Sequence, residues 1–481
     1  MKIIAHYIDG KLVEPVNGRY IDNINPSTGK VYGKIPEGSP EDVDRAVAAA
    51  THAFPSWSKT PASERCRLMV RIADLIAEHR QLLAAAEAED NGKPVSLAGR
   101  MDIPRAEDNM RFFGTAILHW SSEAHLMEDR AINYTNRKPI GVVGCISPWN
   151  LPLYLFTWKI APALAAGNCV VAKPSELTPM TAFLFSKLCI EAGLPAGVLN
   201  IVHGLGTTTG EAIVNHSGVK AVSFTGGTAT GARIAAIAAP RFKKLSLELG
   251  GKNPFIVFDD CDIDKALKTV LRAAFTNQGQ ICLCGSRILI QSGIYNRFVN
   301  ALVDKVSAMN VGDPMDEQTQ TGAVVSEAHM NKVLGYIELA RQEGGRVLCG
   351  GKRVVIEGSC AGGFFIQPTV IDGLGPDCRT NQEEIFGPVI TLQSFDTEQE
   401  ALTLANATHY GLAASVWTSD VNRAHRFSAS LESGIVWVNT WLLRDLRTPF
   451  GGVKHSGVGR EGGWEALRFF TEPQNVCIEI G

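Results

Sequence analysis

The sequence has no apolar run approaching the length that crosses a bilayer, and its first residues, MKIIAHYIDGKLVEP, lack the long apolar core of a secretion signal. The expectation is a cytoplasmic protein with no membrane role. Nor is there an excess of one charge: 46 Lys and Arg against 49 Asp and Glu leave a formal net charge of -3, with the basic residues scattered. A phosphate-backbone partner is thereby disfavoured, and no nucleic-acid partner is expected. The cysteines number 11, an odd count, without a C-x-x-C pair or a His-rich neighbourhood, which argues against a disulfide framework and against a metal site. Reduced thiols are expected, with Cys145, Cys169 and Cys189 read as small buried hydrophobes. No internal repeat, low-complexity tract or proline-rich linker marks a domain boundary.

What is present is a chain of 481 residues, 45% hydrophobic and 20% charged, long enough for two or more domains. Helical spacing in SPEDVDRAVAAATHAF and ERCRLMVRIADLIAEHRQLLAAAEAE gives way to short apolar runs ending in turn residues, GVVGCIS, CVVAKPS, GVLNIVHG and KAVSFTGG. The alternation resumes with SRILIQ, RVLCGG, FFIQPTVI, SVWTS and IVWVN as strands and EQEALTLANA as a helix. Strands alternating with helices predict parallel α/β layers, here in two domains.

Three regions carry candidate chemistry. HGLGTTTG and FTGGTATGARI place small residues where a helix begins and free N–H groups can hold a phosphate, although Gly204, Gly206 and Gly210 are spaced one residue too far for the G-x-G-x-x-G fingerprint. In KKLSLELGGKNP, Leu245, Leu247 and Leu249 alternate with Ser246 and Glu248, so a strand would bury the leucines on one face and turn Glu248 to the other at the strand's end. Glu248 then reads either as a solvated acid or as a placed carboxylate. From Ile263 to Ala274, apolar residues fall on one helical face behind Asp262 as N-cap, and the helix runs out near TNQGQ. Cys282 therefore lies in a loop before a new strand, where a thiol is either reachable and activated or simply packed.

Taken together, PWN at 148–150, KPSE at 173–176, FTG at 224–226, LELGGKNP at 247–254, NQGQICLCGSR at 277–287, EEIFGPV at 383–389 and PFGG at 449–452 resemble the NAD(P)-dependent aldehyde dehydrogenase superfamily, in order and spacing, over essentially the whole chain. Two departures are Gly227, where many relatives carry Ser, and Cys284, where Ala is more usual. The resemblance implies that Cys282 is the nucleophile, with Cys284 a packed neighbour behind it. Attack on an aldehyde would give a thiohemiacetal whose oxyanion is held by the Asn150 amide and the Cys282 N–H, and then a thioester that Glu248, as general base, helps water to cleave. A carboxylate at 248 favours hydrolysis over transfer to coenzyme A.

Cofactor roles follow from the same resemblance. Lys173 and Glu176 match residues that contact the adenosine ribose; Glu384 and Phe386 match residues around the nicotinamide ribose and ring; Trp149 is a further cofactor-binding candidate; and the pyrophosphate would lie near Gly226 and Gly227. The acid at Glu176 would repel a 2′-phosphate, so NAD is preferred to NADP. For the substrate, MDIPRAEDNMRFF and TWLLRDLRTPFGG resemble the subgroup acting on 2-aminomuconic and 2-hydroxymuconic semialdehydes, in which two arginines grip a carboxylate; Arg105 and Arg444 occupy the matching places. The alternatives are that Arg444 pairs with Asp445 or another acid and that Arg105 and Arg111 decorate a helix face; Arg447 is a third candidate, set behind the other two because it adjoins TPFGG, where a structural role competes. A broad aliphatic or betaine aldehyde dehydrogenase is the competing enzyme, with Trp158 and Trp441 available to a quaternary ammonium. A catalytically silent binding protein is the competing class, and an intact Cys282, Glu248 and Asn150 speak against it.

The implied architecture is an α/β aldehyde dehydrogenase fold: a Rossmann-like NAD-binding domain (1–115 and 137–248), an α/β catalytic domain (249–448), and a small β oligomerisation element with the C-terminal return (116–136 and 449–481). AINYTNRKP and NVCIEIG alternate in polarity as edge strands do, and a homodimer or homotetramer would cover them.

Overall fold

Short β-branched and apolar runs bounded by glycine or proline build the centre of the first sheet. In the computed structural model, which describes residues 1–481, Val142–Ile146, Cys169–Lys173, Leu199–Ile201, Val219–Thr225 and Lys244–Glu248 are parallel neighbours within an eight-stranded sheet. His6–Ile8 and Lys11–Val13 extend it antiparallel on one side, and Gly457–Val458 closes it beside Lys244–Glu248 on the other. Helices cover both faces, so these strands are buried on both, as parallel sheets usually are. Hence the expected one-sided burial in KKLSLELGG fails: Ser246 and Glu248 are buried together with Leu247.

The second sheet has seven strands in the order Arg346–Cys349, Thr369–Asp372, Val389–Phe395, Gly285–Gln291, Asn253–Val257, Ala413–Trp417 and Ile435–Val438, all parallel except the first. One apolar core runs through both sheets. A third sheet sets Ala131–Pro139 between Ala124–Met127 and Thr471–Glu479, all antiparallel. The AINYTNRKP stretch is therefore a central strand rather than an edge; NVCIEIG supplies much of its partner within the same chain.

Local chemistry accounts for other departures from the sequence pattern. The long helical stretch after Ala62 breaks at His79 into Ala62–Glu78 and Arg80–Asn91. FFIQPTVI is two strands, Phe365–Ile366 and Thr369–Asp372, because Pro368 has no N–H for a ladder. HGLGTTTG winds as a wide turn at Gly206–Gly210 before the short helix Glu211–Asn215, whereas FTGG leads directly from its strand into the helix Thr228–Ala238. No helix is long and apolar enough to cross a membrane.

Candidate active site

Parallel register brings the chemistry of the first sheet to one edge. Ile146 pairs with Lys173 and with Phe224, and Thr225 pairs with Glu248, so the segments that leave these strands carry Asn150, Gly226 and Glu248 to a common side. Ligands of open α/β sheets bind at this carboxyl edge. The second sheet meets it with its amino edge: Cys282 precedes Gly285–Gln291, and Glu384 and Phe386 precede Val389–Phe395. Between the two edges lies a cavity of about 250 Å³ whose walls include Asn150, Glu248 and Cys282, with Trp149, Gly226 and Gly227 on one side and Glu384 and Phe386 on the other.

The loop that delivers Cys282 is held in an unusual shape. Asp262 caps its helix, accepting from the Lys265 N–H at 3.0 Å, and after Phe275 the chain passes through three left-handed residues, Asn277, Gln278 and Gly279, at φ 54°, 56° and 71°. Side chains sustain the strain at the first two. The Asn277 amide donates to the Asn150 carbonyl (2.9 Å) and the Gln278 amide to the Ala323 carbonyl (2.7 Å). At Gly279 a Cβ would stand 2.1 Å from the Gly387 carbonyl oxygen. Asn253 clamps the other end: its amide donates to the carbonyls of Cys282 (2.7 Å) and Cys284 (2.9 Å), while its oxygen accepts from the Ala413 N–H (3.0 Å). Cys284 is buried behind the loop, and the Trp441 indole donates to the Leu283 carbonyl at 2.9 Å.

Charge in the cavity is poised around two proton-holding groups. Burial, followed by the neighbouring charge of Glu248, pushes the Cys282 thiol well above its ordinary range, and Arg444 pulls the other way. Glu248 is 2% exposed, and neither of its oxygens has a well-aligned hydrogen-bond partner, although the Cys282 thiol and the Thr225 hydroxyl lie close enough to favour its ionised form. Burial and then Glu461 raise it to about 7, against the opposing effects of Cys282, Lys159 and Thr225. Behind it, Glu461 accepts from Lys159 (2.8 Å), Ser223 (3.2 Å) and the Trp158 indole (2.6 Å). Asn150 spends one amide hydrogen on the Gln280 carbonyl at 2.9 Å, which leaves the second available to the cavity.

A larger hollow of about 560 Å³ adjoins the carboxyl edge, with Ile146, Val214, Phe224 and Ile237 as apolar walls and Glu176 at its rim. Lys173, fully buried, donates to Glu176 at 3.0 Å. Burial raises the Glu176 carboxyl, but Lys173 and backbone N–H groups outweigh it and hold it below its ordinary range. At the start of Thr228–Ala238, a Cβ on Gly226 would lie 2.4 Å from the Phe224 ring, whereas one on Gly227 meets nothing. A serine side chain at position 227 would therefore fit. Across the cavity, Glu384 accepts from the Gly251 N–H at 2.9 Å. Phe386, left-handed at φ 62°, stands edge-on to Trp149 at 5.3 Å, and its carbonyl is 2.7 Å from His329 Nε2.

Neither of the two arginines expected to bind substrate makes a salt bridge within the chain, although the charge of Arg105 acts on Asp445. Arg444 Nη1 donates to the Tyr154 hydroxyl at 2.6 Å, and its guanidinium lies 4.0 Å from the centre of the Phe450 ring and 5.0 Å from that of Trp158. Arg105 sits over the Tyr154 ring at 5.7 Å. Asp445 is paired with Arg447 at 2.6 Å, not with Arg444. Arg111 is the arginine that decorates its helix, bonded to Asp74 (2.8 Å) and Glu107 (3.2 Å). Sequence reasoning passed over Tyr154, Asn253, Lys159 and Glu461. The one available signal was Lys159, a lone charge inside the apolar helix LYLFTWKIAPALA.

Comparison with known proteins agrees with this geometry. The aldehyde dehydrogenase family model matches residues 13–476. The 2-aminomuconic semialdehyde dehydrogenase of Mus musculus is 48% identical over 480 residues, 99% of this chain and 98% of its own. The 2-hydroxymuconic semialdehyde dehydrogenase of Pseudomonas sp. (strain CF600) is 45% identical over 486 residues, 100% of both chains. Among solved structures, PnpE from Pseudomonas sp. WBC-3 superposes with a TM-score of 0.97 at 41% identity, covering 100% of this chain and 98% of that one. The NAD+ complex of the Bacillus cereus aldehyde dehydrogenase does so with a TM-score of 0.97 at 39% identity, covering 100% and 97%. Sequence, site and fold thus converge: this chain belongs to the aldehyde dehydrogenase family.

Proposed function

We propose that the protein is an NAD-dependent dehydrogenase that oxidises an aldehyde carrying a remote carboxylate, of the 2-aminomuconic or 2-hydroxymuconic semialdehyde type, to the corresponding acid. The observation that carries the substrate class is Arg444, a guanidinium without a carboxylate partner whose charge reaches the Cys282 thiol. A planar fork held between aromatic rings is suited to bidentate capture of a carboxylate. It would repel the quaternary ammonium of a betaine aldehyde and give nothing to an aliphatic one. The names of the mouse and Pseudomonas relatives support the same class.

In this reading Cys282 attacks the aldehyde carbon, and the thiol proton passes to Glu248, whose value near 7 lets it accept a proton at neutral pH. The free Asn150 amide hydrogen and the Cys282 N–H stabilise the oxyanion. NAD, when bound, supplies the hydride acceptor. The chain's residues fit it: the apolar hollow suits adenine, Glu176 suits ribose hydroxyls and opposes a 2′-phosphate, Lys173 orients Glu176, Gly226 and Gly227 open the helix N-terminus to phosphate, and Trp149, Glu384 and Phe386 border the nicotinamide side. Oxidation leaves a thioester on Cys282, and Glu248, once it has released the thiol proton to solvent, takes the proton of the water that cleaves it.

All cysteines are unpaired, which suits the reducing cytoplasm. The exposed outer strand Thr471–Glu479 offers an edge to a second copy, which supports a homo-oligomer, dimer or tetramer. The function is tested by NADH formation from 2-hydroxymuconic semialdehyde and from hexanal under identical conditions. A preference for the acid is expected; equal rates or a preference for hexanal would overturn the substrate class and leave the cysteine chemistry standing.

A further inference from the structure

Two arginines can share one carboxylate only if their guanidiniums are held near each other against their mutual repulsion, and neither Arg105 nor Arg444 is held by a salt bridge: Asp445, which feels the charge of Arg105, is bonded to Arg447. One residue touches both. Tyr154 lies on the helix Pro152–Ala165, nearly fully buried, with its ring beneath the Arg105 guanidinium at 5.7 Å and its hydroxyl accepting from Arg444 Nη1 at 2.6 Å. One helical turn on, Trp158 provides a second surface for Arg444 at 5.0 Å, and Phe450, edge-on to Trp158 at 6.2 Å, provides the third at 4.0 Å. Trp158 is itself fixed, because its indole N–H donates to Glu461 at 2.6 Å.

We infer that Tyr154 is the positioning residue of the substrate-carboxylate site, holding Arg444 through its hydroxyl and Arg105 through its ring so that both guanidiniums face one anion. The inference rests on the carboxylate reading of these arginines. Its physical basis is preorganisation. A long arginine side chain gives up much rotamer freedom on binding, and that cost is already met when an aromatic slot and a hydrogen bond hold the guanidinium in place beforehand. Tyr154 does not touch the reacting carbon, so its loss should appear in capture of the acid and not in the chemical step.

The test uses the full-length protein with two variants and two readouts. Tyr154→Phe keeps the ring under Arg105 and removes the acceptor of Arg444; KM for 2-hydroxymuconic semialdehyde should rise about tenfold with kcat within about twofold of wild type, as for one lost hydrogen bond to a charged group. Tyr154→Leu removes both supports and should raise KM about a hundredfold. Calorimetric binding of adipate, a six-carbon dicarboxylate, should weaken in parallel, whereas KM for hexanal should move less than about twofold in either variant. Equal losses with hexanal, a fall in kcat in place of a rise in KM, or a Tyr154→Phe enzyme indistinguishable from wild type would overturn the inference; the last outcome does not depend on whether the leucine variant folds. Arg444→Leu in the same assays separates the two levels. If it is silent and the wild type shows no preference for the acid, the carboxylate reading and the inference fall together; if it discriminates while Tyr154→Phe does not, the inference alone fails.

Discussion

Replacing Glu248 with glutamine removes the ionisable carboxyl beside Cys282 while leaving the volume nearly unchanged. In the native protein that carboxyl is 2% exposed, neither oxygen has a well-aligned hydrogen-bond partner, and burial followed by the charge of Glu461 raises its value from 4.5 to about 7. At about 1.4 kcal/mol per pH unit, the rise corresponds to roughly 3 kcal/mol in favour of the neutral form. Because the folded value lies above the unfolded one, the stability contributed by the neutral carboxyl is full below pH 4.5, is lost as the pH climbs to about 7, and changes little beyond. Glutamine stays neutral throughout. At pH 8 the variant should therefore be more stable than wild type by about 2 kcal/mol, after roughly 1 kcal/mol is deducted for an unpartnered buried amide. At pH 4.5 this advantage should vanish or reverse. The catalytic effect runs the other way: without the carboxylate the thiol loses its proton acceptor and the thioester its hydrolytic base, so the first turnover should be slowed, at no more than one NADH per active site, and the steady rate should fall by about 10²- to 10⁴-fold. Stopped-flow NADH absorbance and urea unfolding at the two pH values measure both effects. Undiminished steady turnover, or a stability difference that does not change with pH, would refute the reasoning.

Other outcomes follow from the same geometry. Wild-type kcat under conditions where thioester hydrolysis limits turnover should rise with pH through a midpoint near 7 and then level off, since Glu248 acts as a base only when ionised. Cys282→Ala should abolish NADH formation, whereas Cys284→Ala should retain it at a stability cost of about 1 kcal/mol, because Cys284 is a buried packing residue. Asn253→Ala removes hydrogen bonds to the carbonyls of Cys282 and Cys284 and from the Ala413 N–H, and should cost about 3 kcal/mol in unfolding free energy together with a fall in kcat. Glu176→Gln removes the charge at the rim of the adenine hollow and should raise kcat/KM with NADP relative to NAD by about tenfold.

Much of this was legible in the sequence because local signals and their order suffice for it. The parallel layers follow from glycine-bounded apolar runs alternating with helical spacing, and the motifs around Asn150, Glu248, Cys282 and Glu384 carry the family resemblance in linear order. What remained hidden depends on contacts between segments distant in the chain. Nothing local to Glu248 shows that both faces of its strand are covered, so its burial came only with the fold. Asn253 looks like a turn residue until the loop of Cys282 folds over it, and Tyr154 is one apolar-pattern aromatic among several until Arg444, 290 residues later, bonds to it. The assignment of AINYTNRKP to an edge failed for the same reason: alternation marks a strand with two unlike faces and does not distinguish an edge from the middle of a small exposed sheet.

The most direct test of the account is kcat/KM for 2-hydroxymuconic semialdehyde and for hexanal, measured in the wild type and in Arg444→Leu. Losing a guanidinium that grips a partly desolvated carboxylate should lower the value for the acid by about a hundredfold or more and leave that for hexanal within about threefold. Parallel losses on both substrates, or none on either, would contradict the assignment of Arg444 as the group that selects a carboxylate-bearing aldehyde.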